Sequence, residues 1–214
     1  MKSYFLLNRG NVFHTLLEDL RPMMSEKPPL HLDLNAALHS SISGEATDAH
    51  VQQLQLVLLP YEPNASVYDC WRGLTLKLPV GWPLQLLMHP ASMQRYEELF
   101  RFLLLVKRVQ LELQAAWSSQ ARFGQMRAGQ RAILMPLWKL RAHMAFLIDN
   151  LQYYLQVDVL ESQWQAFMRV VETCADFEEL CTAHEACLGA LHAQCFLQAS
   201  SVAAALHEIF QVGC

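Results

Sequence analysis

Residues 137–164, LWKLRAHMAFLIDNLQYYLQVDVLESQW, constrain the fold more than any other stretch of this chain. Leu137, Leu140, Met144, Leu147, Leu151 and Tyr154 recur at alternating steps of three and four, the seam of a helix packed on another helix. A second stripe, Lys139, His143, Phe146, Asn150 and Tyr153, lies more than a quarter turn from the first at ~100° per residue. A third face, Arg141, Ala142, Ala145, Asp149, Gln152 and Gln156, is small and polar and suits solvent. A core seam has no need of Lys, His and Asn beside Phe and Tyr, so the second stripe reads as a surface that meets something. The alternative is a partly buried flank against a neighbouring helix.

The rest of the chain supplies partners for such a helix. Residues 3–24 have helical periodicity, with a break expected at Asn8-Arg9-Gly10 and closure at Pro22 and Pro28-Pro29. Asp33 or Asn35 can cap a short helix to Ile42, ended by Ser43-Gly44-Glu45. Residues 53–59 and 74–80 alternate at period two and predict a small antiparallel ribbon, with Pro79 placing it at an edge and residues 61–69 as a loop. Trp82-Pro83-Leu84 turns the chain. Pro90 suits the first turn of a long helix carrying Leu99, Phe102, Leu103, Val106, Val109, Leu113 and Trp117 on one stripe. Residues 121–133 read as a connection, and Pro136 as the start of the next helix. An interruption is expected at 157–159, with Asp158 and Glu161 as a cap and Leu160, Trp164, Phe167, Met168 and Val171 buried beyond it. Asp176 with Glu179 starts a last long helix through Leu180, Ala183, Cys187, Leu191, Cys195, Val202, Leu206 and Ile209. The fold class is therefore mainly α, a helical bundle with a small two-stranded β element.

Composition narrows the function. A length of 214 residues fits one domain with a real core, and no apolar run approaches the roughly 20 residues of a membrane span. Residues 95–141 carry nine Lys and Arg against three Asp and Glu, whereas 142–214 carry one Arg against nine acids. The positive residues are spread along amphipathic helices, so neutralisation by the acidic helices is expected rather than nucleic-acid binding. No Gly-rich phosphate loop, GxSxG elbow or HExxH pair occurs, and the acidic residues sit where helix starts favour them, so neither an enzyme nor a cofactor is expected. Cys174, Cys181, His184 and Cys187 have thiolate and imidazole donors for zinc, but in helix-like sequence that spacing favours free, mostly buried thiols.

The run LRAHMAFLIDNLQYYLQVDVLESQW resembles the central signature of the C-terminal Grip domain of the gamma-tubulin complex component family. YFLLNRGNVFHTLLEDL, GLTLKLPVGWPLQLLMHPASMQRYEELFRFLLLVKRVQLEL and DFEELCTAHEACLGALHAQCFL agree in the same order, so that the resemblance covers roughly residues 4–197. It implies a mostly helical bundle with a small β element that holds one gamma-tubulin, in complexes that template microtubules. The implied partners are gamma-tubulin and other complex components, in the cytoplasm and cytoskeleton at an organising centre such as the centrosome or spindle pole. Arg141, His143, Met144, Phe146, Asn150, Tyr153 and Tyr154 fall in the family's central motif. The second stripe selects His143, Phe146, Asn150 and Tyr153 from that set as contacts, joined by Arg141, while Tyr154 belongs to the seam. Trp71, Trp82 and Pro83 match the other motif and read as scaffold.

The chain also departs from the family pattern. Met1-Lys2 stands where Leu-Lys is usual, Asn8 stands where Gly is usual, and Cys214 precedes the family's final helices. The expectation is one partial C-terminal Grip domain over residues 3–212, with the N-terminal Grip domain absent and lateral assembly lost. Open apolar faces are then expected on residues 3–20 and 202–212. The competing reading is a non-catalytic helical scaffold for another protein, its tubulin-binding role lost through truncation.

Overall fold

Leu99, Phe100 and every residue from 102 to 106 are buried, so one helix is apolar around its whole circumference and must be enclosed on all sides. That helix is α5 (Pro90–Arg122), and Pro90 opens it as the sequence predicts. The computed structural model describes residues 1–26, 31–42, 51–60, 66–122 and 128–213. Around α5 lie α1 (Lys2–Phe5), α2 (Gly10–Glu26), α3 (His31–Ile42), α4 (Val67–Arg72), α6 (Ala128–Tyr153), α7 (Ser162–Thr173), α8 (Phe177–Gln194) and α9 (Ser200–Gly213). The mainly α bundle with one two-stranded sheet matches the sequence expectation. Its centre, however, is α5 rather than the helix of residues 137–164.

The first two helices meet α5 through aromatic rings. Phe5 packs edge-on against Tyr96 and Phe100 at 5.9 and 6.4 Å, and Phe13 against Phe100 at 5.9 Å. Val12, Phe13, Leu16, Leu17 and Leu20 are all buried, so the open apolar face expected on residues 3–20 is covered. The expected break falls between α1 and α2, where Leu7 takes φ 51°. Pro22 does not close α2: it sits inside the helix, which runs four residues further to Glu26. A proline there removes one backbone donor but already has helical φ, and the packed face around it continues through Met24.

β1 (Gln55–Leu58) and β2 (Leu74–Lys77) pair antiparallel with Leu56 opposite Leu76 and Leu58 opposite Leu74. Those leucines are buried, as is Thr75 on the other face, because the ribbon is packed against both α3 and α5. Asn35 does not cap α3, which begins at His31; its Oδ1 accepts the Leu56 N–H at 2.8 Å and ties the helix to β1. Lys77 Nζ reaches Glu97 at 2.7 Å and ties β2 to α5. α4, residues 67–72, begins inside the stretch read as loop. Ser66 and Asp69 make a reciprocal capping box there: Ser66 Oγ accepts the Asp69 N–H at 3.2 Å, and Asp69 Oδ2 accepts the Ser66 N–H at 3.1 Å. Residues 43–45 and 61–65, expected as a helix end and a loop, lie outside the described residues.

α6 runs antiparallel to α5, with Gln110 Nε2 donating to Asp149 Oδ1 at 2.8 Å and Arg141 lying 4.9 Å over the exposed Trp117 ring. Trp117 therefore leaves the buried stripe predicted for α5. Pro136 is inside α6, since helix already starts at Ala128. No interruption occurs at residues 157–159. The chain continues as a π-helical segment, Tyr154–Glu161, straight into α7. Leu155, Val159 and Leu160 are buried there, and the wider turns keep all three inward, whereas a capped break would turn some of them out. Asp158 is exposed, and Glu161 pairs with Lys2 at 2.6 Å instead of closing a capping box. Asp176 does cap α8, accepting the Glu178 N–H at 3.1 Å.

The last helix of the sequence reading is two helices. Phe196 N–H donates to the Ala193 carbonyl at 3.1 Å, and Leu197 N–H to the His192 carbonyl at 3.0 Å. Phe196 has φ 61°, so this is a Schellman ending with Phe in the position that usually holds Gly. Stacking of Phe196 on Tyr154 at 5.9 Å offsets a backbone cost of about 1–2 kcal/mol. α9 then returns over α5, with Phe210 buried against Phe102 while Val202 and Val212 stay exposed.

Two measurements test this packing. Ile148 is 0% exposed and faces α5, whereas its neighbour Leu147 is 44% exposed. Ile148→Ala should cost about 2–4 kcal/mol in urea unfolding, and Leu147→Ala less than about 1 kcal/mol; equal costs would mean a different helix face is inward. The second concerns His184, His192 and His207, whose imidazoles burial pushes below their usual 6.5. The unfolded chain then binds more protons below about pH 6.5, so stability is present above that value and lost as pH falls. The calorimetric Tm should drop on going from about pH 7.5 to about pH 5.5, and His184→Gln should flatten the profile.

Candidate protein interface

The inward direction of α6 is set by Ile148, and Leu155 on the π segment that follows is likewise fully buried. Ala145, Met144 and Leu151 pack beside them against the core. This inward face runs between the leucine seam and the polar face of the sequence reading, and Ile148 belongs to neither. Arg141, Ala145 and Gln152, read as solvent-facing, thus lie on the α5 side, while Leu140 and Leu147 of the seam are exposed. A seam read from leucines alone misplaces the buried face because the closest approach to α5 is made by small and β-branched residues.

His143, Phe146, Asn150 and Tyr153 each fall ~140–160° from Ile148 at ~100° per residue, on the side of α6 away from the core. All four are exposed, Phe146 by 73% and Tyr153 by 63%. Val157 continues the line onto the π segment, and exposed Leu140 and Leu147 border it. The result is an apolar, aromatic stripe on a rigid helical rod with Lys139 and His143 along it. Asn150 does not present its amide outward without constraint: Nδ2 donates to the Phe146 carbonyl at 2.6 Å, which fixes its rotamer one turn below. Arg141 stands apart from the other four, about 20° from Ile148 in projection, where its guanidinium covers Trp117. Val157 and the two leucines were not among the candidate contacts; their exposure depends on which face meets α5, which periodicity alone left open.

The remaining candidates resolve differently. His184 lies under α5, its Nε2 3.0 Å from the Tyr96 hydroxyl and its ring against Phe167 at 5.6 Å. Cys187 donates to the Gln163 carbonyl at 3.7 Å, and burial raises its thiol to about 11. Among the described residues no three His, Cys, Asp or Glu side chains gather as a metal site requires, and no helix is long and apolar enough to cross a membrane. Trp71 is buried over Arg108 and is scaffold, as read; Trp82 is 78% exposed and is not. Opposite charges of the two halves meet at a clamp on Glu185. Glu185 on α8 accepts from Ser92 Oγ at 2.6 Å and Arg95 at 2.9 Å, and His89 lies at 3.1 Å. These donors hold the Glu185 carboxyl below the usual carboxylate range.

Comparison with known proteins places this arrangement. A family model described as gamma tubulin complex component C-terminal matches residues 1–213. Gamma-tubulin complex component 4 of Mus musculus is 34% identical over 99% of this chain, and that of Homo sapiens 33% over the same share. The gamma-tubulin complex component 2 homolog of Drosophila melanogaster is 25% identical over 94% of this chain and 26% of its own length. The chain spans about a third of the two component 4 relatives, 35% of each. With the model matched almost end to end and the helical bundle and ribbon in place, the chain belongs to the gamma-tubulin complex component family and corresponds to its C-terminal region.

Proposed function

We propose that this chain is a gamma-tubulin-binding module whose outer α6 face makes the contact. The observation that carries the reading is the line of His143, Phe146, Asn150 and Tyr153, exposed on a helix whose opposite side is locked to α5. Aromatic anchors on a preorganised element, with a polar fringe, suit a protein interface because little side-chain entropy is lost on docking. Arg141, which covers the Trp117 ring on the α5 side of the helix, is left out of this face. In this reading the chain works as a non-catalytic component of the gamma-tubulin complex, together with other complex components. Its role is microtubule nucleation at an organising centre, the centrosome or spindle pole.

Capture of gamma-tubulin by residues 1–214, with α/β-tubulin as control, tests the assignment. Wild-type protein should retain gamma-tubulin selectively. Phe146→Ala with Tyr153→Ala should weaken capture at least about tenfold while shifting stability by less than about 1 kcal/mol, because both rings are exposed. Full capture by the double variant would remove α6 from the interface. Absence of capture by folded wild-type protein would favour a helical scaffold for another partner.

A further inference from the structure

The elbow between α1 and α2 borders a cavity of about 220 Å³ lined by Asn8, Gly10, Phe13, Lys107, Gln152 and Gln156. Leu7, at φ 51°, holds the elbow in the left-handed region that a branched side chain rarely adopts. Backbone strain of this kind gathers where the surrounding structure fixes a functional geometry. Lys107 enters the cavity from α5 half-buried, and its ammonium donates to Gln110 Oε1 at 2.9 Å. Among the described residues no carboxylate stands within ion-pair distance of it; the Asp149 side chain is engaged by Gln110 Nε2. Burial lowers the proton affinity of Lys107, and the field of Asp149 partly restores it. Gln152 Oε1 is buried with no hydrogen-bond partner. Its amide can turn to place Nε2 there instead, since the two ends are set only by what they meet. A half-buried cation and an amide that can be turned to donate, both lining one open volume, match a small anion, which would compensate the cation and the turned Gln152 amide.

We propose that this elbow pocket binds an oxyanion, held by Lys107 Nζ and the Gln152 amide: an acidic side chain of the docked partner, or free phosphate. Gln152 precedes Tyr153 on α6 and Gln156 follows it on the π segment, so this wall of the pocket lies on the α5 side of the helix that carries the outer face. Only the choice of a partner carboxylate rests on the docking reading above; the pocket itself does not.

Inorganic phosphate is the probe, titrated into the full chain at matched ionic strength and followed by ¹H–¹⁵N NMR. The Gln152 side-chain amide and the Asn8 and Gly10 backbone amides should shift and saturate. The shifts should vanish in Lys107→Met, persist in Lys107→Arg, and need at least about fivefold more phosphate in Gln152→Leu, the variant that decides if Lys107→Met fails to fold. Shifts that do not saturate, or that survive unchanged in both apolar variants, overturn the pocket. A gamma-tubulin capture arm separates the two sources. Capture weakened about tenfold by Lys107→Met and displaced by phosphate assigns a partner carboxylate. Capture indifferent to both, with phosphate saturation intact, assigns free phosphate. Failure of the wild-type chain to capture gamma-tubulin refutes the docking reading, and the phosphate titration still decides the pocket.

Discussion

Everything in this bundle depends on hiding α5. A helix that is apolar on one stripe needs one neighbour, but the residues from Leu99 to Val106 leave almost no polar side. The directions around α5 are therefore occupied: α1 and α2 by aromatic edges, β2 by one face of the ribbon, α6 by Ile148, α8 by His184 and Leu188, α9 by Phe210. The enclosure explains why a two-stranded ribbon, marginal by itself, is ordered here. It also explains why the other helices keep one face free, since the centre consumes only their inner sides.

The polar groups caught near that centre are organised rather than expelled. The Tyr96 hydroxyl meets His184, Tyr68 meets His207 at 2.7 Å, and His192 donates from Nε2 to the Arg95 carbonyl at 3.0 Å. Burial pushes all three imidazoles below their usual value, because a charged imidazolium would be costly inside an apolar shell, and the pairings satisfy the polar atoms left there. Charge crosses the bundle mainly at its surface, through Lys2–Glu161, Arg21–Glu112, Lys77–Glu97 and the Glu185 clamp. Exposed pairs of this type orient neighbouring helices but add little free energy.

Much of this was legible from residue order. The period-two leucines gave the ribbon, Pro90 the start of α5, and Asn8-Arg9-Gly10 the elbow, because each is a local signal with one physical meaning. Ser66-Val67-Tyr68-Asp69 was equally legible as a capping box, yet the prolines just before it read as loop. Other features carry no local signal. Phe196 in a left-handed turn is stabilised by Tyr154, some forty residues earlier, and no glycine marks it. The inward side of α6 turns on Ile148 fitting α5, a tertiary fact that a leucine count cannot supply. The aromatic stripe lies exposed on the side away from α5, while Arg141, taken from motif position alone, sits on the other side of the helix.

The π segment fixes how long the exposed aromatic stripe is. Turns of the i→i+5 kind slip the helical phase, so the outward line from Lys139 through Val157 does not pass onto α7. Phe167, which unbroken α geometry would place ~100° away from Ile148, is buried in α7. At ~1.5 Å per residue the stripe is therefore about 27 Å long. The exposed line on α6 is thus a ruler of fixed length, which ends where the phase slips.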